Sequence, residues 1–208
     1  MEEFGVIPVD YSTIITHLGG YKAPGDKVSK LEKRGELIRL KKGLFVISPE
    51  ISRKELSLEL IANHLYGPSY ISYESALVYY GLIPESVYTV KSATWKRGKE
   101  YRTPVGRFVY ISVPEKYFSI GLRQVIEKQI YAFIIASPEK ALCDLIMSTS
   151  GLRIQSKKAM QEYLVQDLRM DLDELEQLDP GIIEVCIPYA YKQKEMRLLL
   201  GFVNALKN

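Results

Sequence analysis

The densest run of reactive side chains in this 208-residue sequence is "SPEKALCDLIM", where Glu139, Lys140, Cys143 and Asp144 fall close together. Two carboxylates and an amine at this spacing could pass protons. The same spacing also reads as a helix start. Ser137 is a good N-cap, Pro138 fits the first helical position, and Glu139 suits the positive end of the helix dipole. Lys140 and Asp144 then form an ion pair one turn apart, and Leu142, Leu145 and Ile146 a buried stripe. Capping and a structural ion pair account for the segment better than catalysis does. A second acidic motif, "DLD" at Asp171 to Asp173, has the form of a D-x-D metal pair. Such a pair belongs on a strand after a Gly-Ser turn. Here it opens an acidic amphipathic helix, for which Asp171 or Asp173 is the N-cap.

Other chemistry is sparse. Cys143 and Cys186 lie far apart, outside any C-x-x-C pair and in apolar surroundings, which points to buried free thiols. His17 and His64 are too few for a metal cluster. The chain carries no G-x-G-x-x-G, Walker, G-x-S-x-G or H-E-x-x-H motif. The expectation is no catalytic residue, no metal, no cofactor, and no enzyme.

Charge is more informative. The net charge is only +3, but from Tyr21 to Ser48 eight cations (Lys22, Lys27, Lys30, Lys33, Arg34, Arg39, Lys41, Lys42) face only Asp26, Glu32 and Glu36. Between Glu162 and Glu184 the sign reverses, with Arg169 alone against a run of carboxylates. That asymmetry suggests a basic binding end and an acidic remainder. A second basic patch, Lys91, Lys96, Arg97, Lys99, Arg102 and Arg107, surrounds Trp95, the only tryptophan, and is opposed by Glu100. It reads either as a contact surface or as a solvated loop.

These cations have to be positioned by local structure. Asp10 can cap a helix from Tyr11 to Leu18, ended by Gly19-Gly20. "KAPGD" reads as a turn, after which Asp26 caps a helix from Lys27 to Arg34 that Gly35 stops. Lys27, Lys30 and Arg34 share one face of it, and Val28 and Leu31 the other. "ELIRL" and "LFVIS" read as two strands around Lys41-Lys42-Gly43, a hairpin whose glycine takes positive φ. Helix, turn, helix and hairpin in this order form a winged helix. In that fold the second helix enters the major groove and basic side chains contact phosphates.

Further on, a helix from Arg53 to Leu65 carries Leu58, Ile61, Ala62 and Leu65 on one stripe. A short helix starts at Ser72 or Ser75 and ends at Gly81. From Tyr88 to Val113 the texture is two strands flanking a polar connection. "LRQVIE" and "YAFIIA" are two more strands. The remainder is helical: Ser156 to Leu168, Leu172 to Leu178, and a last helix with Met196, Leu199, Leu200, Val203 and Leu206 at core spacing. The fold class expected is α+β, with residues 1–50 as a winged helix–turn–helix, full or reduced, and 51–208 as a larger mixed α/β domain. An apolar share of 47% suits such a core. The acidic start lacks an apolar h-region and no run approaches a membrane span, so a cytoplasmic protein with no membrane contact is expected.

Three segments, "LEKRGELIRLKKGLFVI", "YISYESALVYYGLIPE" and "IASPEKALCDLI", resemble in order and spacing the AbiEi family, the antitoxins of type IV toxin–antitoxin systems, also described as transcriptional regulators of viral (phage) defence. The resemblance covers residues 10 to 150 well and the C-terminal helices weakly. It implies that the N-terminal domain binds double-stranded operator DNA and represses its own operon. It also implies that the C-terminal domain antagonises a nucleotidyltransferase-like toxin without a stable complex. Carried onto this chain, Lys27, Lys30, Lys33 and Arg34 belong to the recognition helix, and Arg39, Lys41 and Lys42 to the wing. Members usually have one more helix before the helix–turn–helix pair, for which the nine residues before Asp10 are too few. Either the Arg53 to Leu65 helix closes the small core or the domain is a reduced winged helix. Such a unit would act as a homodimer on an inverted repeat, because one module buries limited surface. The alternative is a protein-interaction module that binds a toxin or defence protein directly, without DNA.

Overall fold

The first helix, α1 (Tyr11–His17), begins where expected, with the Asp10 carboxylate accepting the Thr13 N–H at 2.8 Å. This computed structural model describes residues 4–84 and 88–207; the acidic residues 1–3 and the Glu85 end of the "YISYESALVYYGLIPE" motif lie outside them. The second helix, α2 (Pro24–Lys33), starts three residues earlier than Asp26 capping implied. Proline lacks the N–H that a first turn leaves unpaired and its φ is already helical. Pro24 therefore opens the helix, and Asp26 lies inside the first turn. "KAPGD" is thus helix start rather than turn. Gly35 ends the helix at φ 73°.

Strands β2 (Leu37–Lys41) and β3 (Leu44–Ile47) follow as a hairpin around Gly43, at φ 79°. A two-residue strand β1 (Val9–Asp10) pairs antiparallel with the far side of β3, giving a three-stranded sheet in the order β1-β3-β2. Ile14, Leu18, Val28 and Leu31 of the helices bury against Leu37, Phe45 and Ile47 of the hairpin to form a small core. The opposite face of the hairpin, Leu40, Leu44 and Val46, belongs to the larger core beyond. The hairpin is therefore a shared wall.

The helix expected from Arg53 to Leu65 starts later, as α4 (Leu58–Leu65), and a separate short helix, α3 (Pro49–Ser52), precedes it. Ser48-Pro49 is itself a helix start, Arg53 turns left-handed at φ 54° and ends it, and Ser57 caps the restart by accepting the Leu60 N–H at 3.1 Å. The larger sheet has six strands: β4 (Tyr70–Ile71), β5 (Thr89–Thr94), β6 (Lys99–Thr103), β7 (Gly106–Ser112), β8 (Leu122–Glu127) and β9 (Tyr131–Ala136). Their order is β6-β7-β5-β4-β9-β8, with β5–β7 and β4–β9 parallel and the other pairs antiparallel. The polar connection expected between two strands is itself β6, which pairs with β7 from Lys99↔Tyr110 to Thr103↔Gly106. Its charges are those of an edge strand.

Helices α4, α5 (Tyr73–Tyr79), α6 (Glu115–Phe118) and α7 (Pro138–Ser148) pack on or beside this sheet. The remaining helices are α8 (Lys157–Glu162), continued by a wider turn to Asp167, α9 (Leu172–Glu176), α10 (Pro180–Cys186) and α11 (Gln193–Leu206). They stack onto α7 and one another. Asp171 caps α9 by accepting the Asp173 N–H at 3.0 Å. The architecture is mixed α+β. Among the described residues no helix is long and apolar enough to cross a membrane.

A candidate nucleic-acid interface

The seven cations expected on α2 and the hairpin meet different fates. Lys30 and Lys33 project from α2, exposed and without a partner among the described residues. Arg34 is two-thirds exposed and makes one loose ion pair with Glu36, at 3.7 Å. Lys27 leans 5.3 Å over the Tyr21 ring, a cation–π contact. The buried Val28 and Leu31 fix which face of the helix points outward. At the hairpin tip, Lys42 is exposed and unpaired among the described residues.

Two positions are engaged within the molecule. The Arg39 guanidinium donates to both oxygens of Glu32, at 2.7 and 2.6 Å, and lies 5.1 Å over Phe45. These hydrogen bonds lower the Glu32 carboxyl and raise the Arg39 guanidinium from their ordinary pKa values. The pair ties α2 to β2, so Arg39 holds the geometry of the site. Lys41 is half-buried and donates to the Leu65 carbonyl at 2.6 Å, at the C-terminal end of α4. There an ammonium meets the negative end of the helix. Its charge is used inside the molecule.

That bond also sets the hairpin tip beside the second basic patch, where β2 meets β6. Tyr66, the next residue after Leu65, packs against Tyr110 and Tyr101 at 5.2 and 6.2 Å between ring centroids. Lys99 stands 4.8 Å over Tyr101 and 5.5 Å over Tyr66, while Lys96 is 5.9 Å over Tyr66 and donates to the Gly67 carbonyl at 2.7 Å. Arg97 is exposed with no side-chain partner among the described residues, beside Trp95 at 43% exposure. The rest of the patch is engaged by carboxylates. Arg102 and Arg107 both bond Glu100, at 2.8 and 3.0 Å, and hold its carboxyl down to about 2. Lys91 pairs with Glu74 at 2.7 Å.

Glu32, Tyr21 and Tyr66 are the participants that sequence reasoning missed. For Glu32 and Tyr66 no periodic rule brings the partners together. For Lys41 strand alternation misleads: the register shifts between Arg39 and Lys41, which brings Lys41 opposite Leu44, a residue of the larger core.

The "SPEKALCDLIM" cluster lies elsewhere, inside the larger core. Lys140 and Asp144 are fully buried, 3.4 Å apart. Lys140 also donates to the Tyr117 carbonyl at 3.0 Å, and Asp144 accepts from Tyr70 at 3.0 Å and Ser72 at 2.5 Å. Burial lowers the Lys140 pKa, with Asp144 opposing that shift. The network joins α7 to β4 and to the residue before α5. Among the described residues no group of His, Cys, Asp or Glu is placed to hold a metal ion. Set against known proteins, the chain matches no protein-family model and no curated protein.

Proposed function

We propose that this chain is a DNA-binding regulator of the AbiEi antitoxin type, with α1, α2 and the β2–β3 hairpin serving as its winged helix–turn–helix. The observation that carries the reading is the exposed cationic face of α2 over its own small core, where Lys30 and Lys33 have no partner among the described residues, flanked by Lys42 at the hairpin tip. Lys27, Lys30, Lys33 and Arg34 face the major groove of operator DNA, and Lys42 lies along the phosphates. The protein represses its own operon as two copies on an inverted repeat. The larger domain antagonises a nucleotidyltransferase-like toxin without a stable complex. No residue is assigned a catalytic role.

A fluorescence-anisotropy titration against the chain's own upstream DNA, at two salt concentrations and beside a scrambled duplex, tests this reading. Tight, salt-sensitive, sequence-selective binding supports it, because each phosphate neutralised releases counterions. Absence of binding at low salt removes it.

One observation favours a second reading, a protein-interaction module. The hairpin commits Arg39 and Lys41 to intramolecular bonds, which leaves Lys42 as the tip cation without a partner among the described residues. Co-purification with a neighbouring gene product, together with no DNA binding, would select that reading.

A further inference from the structure

The two ends of the six-stranded sheet are built differently. At one end β6 carries exposed Lys99, Glu100 and Arg102, with Pro104 just beyond, features that keep an edge from pairing. At the other end β8 pairs, among the described residues, only with β9. The centre of β8, Gln124-Val125-Ile126, is uncharged, and Ile126 is 66% exposed. Ile130, in the hairpin turn that follows, is 47% exposed.

Which backbone groups β8 leaves open follows from the ladder. Ser137 donates its N–H to the Gly121 carbonyl at 2.7 Å, so 121 and 137 are a hydrogen-bonded pair. Antiparallel pairs alternate. Residues 123, 125 and 127 therefore exchange bonds with β9, and Leu122, Gln124 and Ile126 turn their N–H and C=O groups outward. A strand added there must place its own bonding residues opposite these three. For a second copy of β8 this allows only registers in which even residues face even ones.

We propose that β8 pairs antiparallel with β8 of a second copy of this chain, about a two-fold axis at Val125. Arg123 then lies opposite the partner subunit's Glu127, and Glu127 opposite the partner subunit's Arg123. The two Val125 residues form a close non-hydrogen-bonded pair, and each Ile126 lies opposite Gln124 and diagonal to the other Ile126. Neighbouring registers lack this complementarity. An axis at Arg123 sets like charges together, one at Gln124 sets Arg123 opposite Val125, and one at Ile126 sets Val125 opposite Glu127. Both charged side chains already lie on the α5 side of the strand. Arg123 is 5.9 Å over the Tyr80 ring, and the Glu127 Oε1 accepts from Tyr79 at 3.0 Å, leaving Oε2 open among the described residues. A single strand pair buries less than the roughly 1,200 Å² of a stable interface, so the association is reversible and concentration-dependent.

Sedimentation velocity over a protein concentration series, with no DNA present, tests this independently of the DNA-binding reading. The wild type should pass from monomer to dimer. Arg123→Glu and Glu127→Arg should each weaken association about tenfold, and the double swap should restore it. Gln124→Pro removes an outward N–H that β9 does not use and should abolish dimerisation while thermal melting shows the fold intact. A monomer at every concentration overturns the proposal. So does a dimer that the single reversals leave unmoved or that the swap fails to restore.

Discussion

The outer face of α2 and the patch around Trp95 carry similar densities of lysine and arginine, yet their charges are in different states. On α2, Lys30 and Lys33 have nothing to bond among the described residues, and Arg34 only a loose carboxylate. In the β5–β7 patch Lys91, Arg102 and Arg107 are each held by a carboxylate, and Lys96 and Lys99 lie over tyrosines. The difference teaches that cation count is a poor guide to binding. What a polyanion finds is the charge left over after the protein has used its own.

The sharpest way to break this comparison is to truncate both regions. Replacing Lys30 and Lys33 with alanine should lower DNA affinity roughly 10–100-fold at low salt and flatten the log–log salt slope by about 1.8, two phosphates' worth. Replacing Arg102 and Arg107 should change affinity less than that, since both arginines already bond Glu100 and the three groups together leave only one positive charge over. Equal losses in the two double mutants would erase the distinction. Next in size is the hairpin tip. Lys42→Ala should weaken binding a few-fold, with a slope change of about 0.9 and unaltered urea denaturation. Lys41→Ala should instead cost about 1–2 kcal/mol of stability, because it leaves a helix-end carbonyl without its donor.

Smaller effects sharpen the picture. Glu32→Gln should cost roughly 0.5 kcal/mol, the low end for a partly exposed pair, and weaken DNA binding by loosening α2 from the hairpin. Because Glu32 has its carboxyl lowered in the fold, its contribution is complete above the ordinary carboxylate range and fades as pH falls through the folded value. Glu100 should titrate near 2 by carbon-detected NMR, and Arg107→Ala should return it toward its ordinary value. A Glu100 midpoint at 4.5 in the wild type would mean its arginines are available after all.

Much of the fold was legible wherever a local signal is strong. Asp10 and Ser137 cap as their side chains dictate, Gly35 and Gly43 stand at positive φ, and the segments "LRQVIE" and "YAFIIA" are β8 and β9 residue for residue. The break between α3 and α4 was hidden because Arg53 takes a left-handed conformation that its side chain does not announce. Strand β6 was hidden because charged edge residues read as a loop. Helix α10 was passed over although Asp179-Pro180 is a cap followed by a proline start. In the candidate site, sequence named the cations and left their state open. That state is set by Glu32 seven residues from Arg39 and by the Leu65 carbonyl on another helix, contacts that only the assembled chain creates.

The two-faced hairpin has a thermodynamic consequence. With Leu37, Phe45 and Ile47 in one core and Leu40, Leu44 and Val46 in the other, neither core can melt without stripping a wall from its neighbour. Heating should therefore give one transition for the whole chain, and a ligand on α2 should raise the melting temperature of a sheet it never touches. Cutting after residue 50 would not yield two clean halves: the C-terminal piece would expose the surface that the hairpin covers. The shared wall should make the chain fold, and respond to binding, as one cooperative unit.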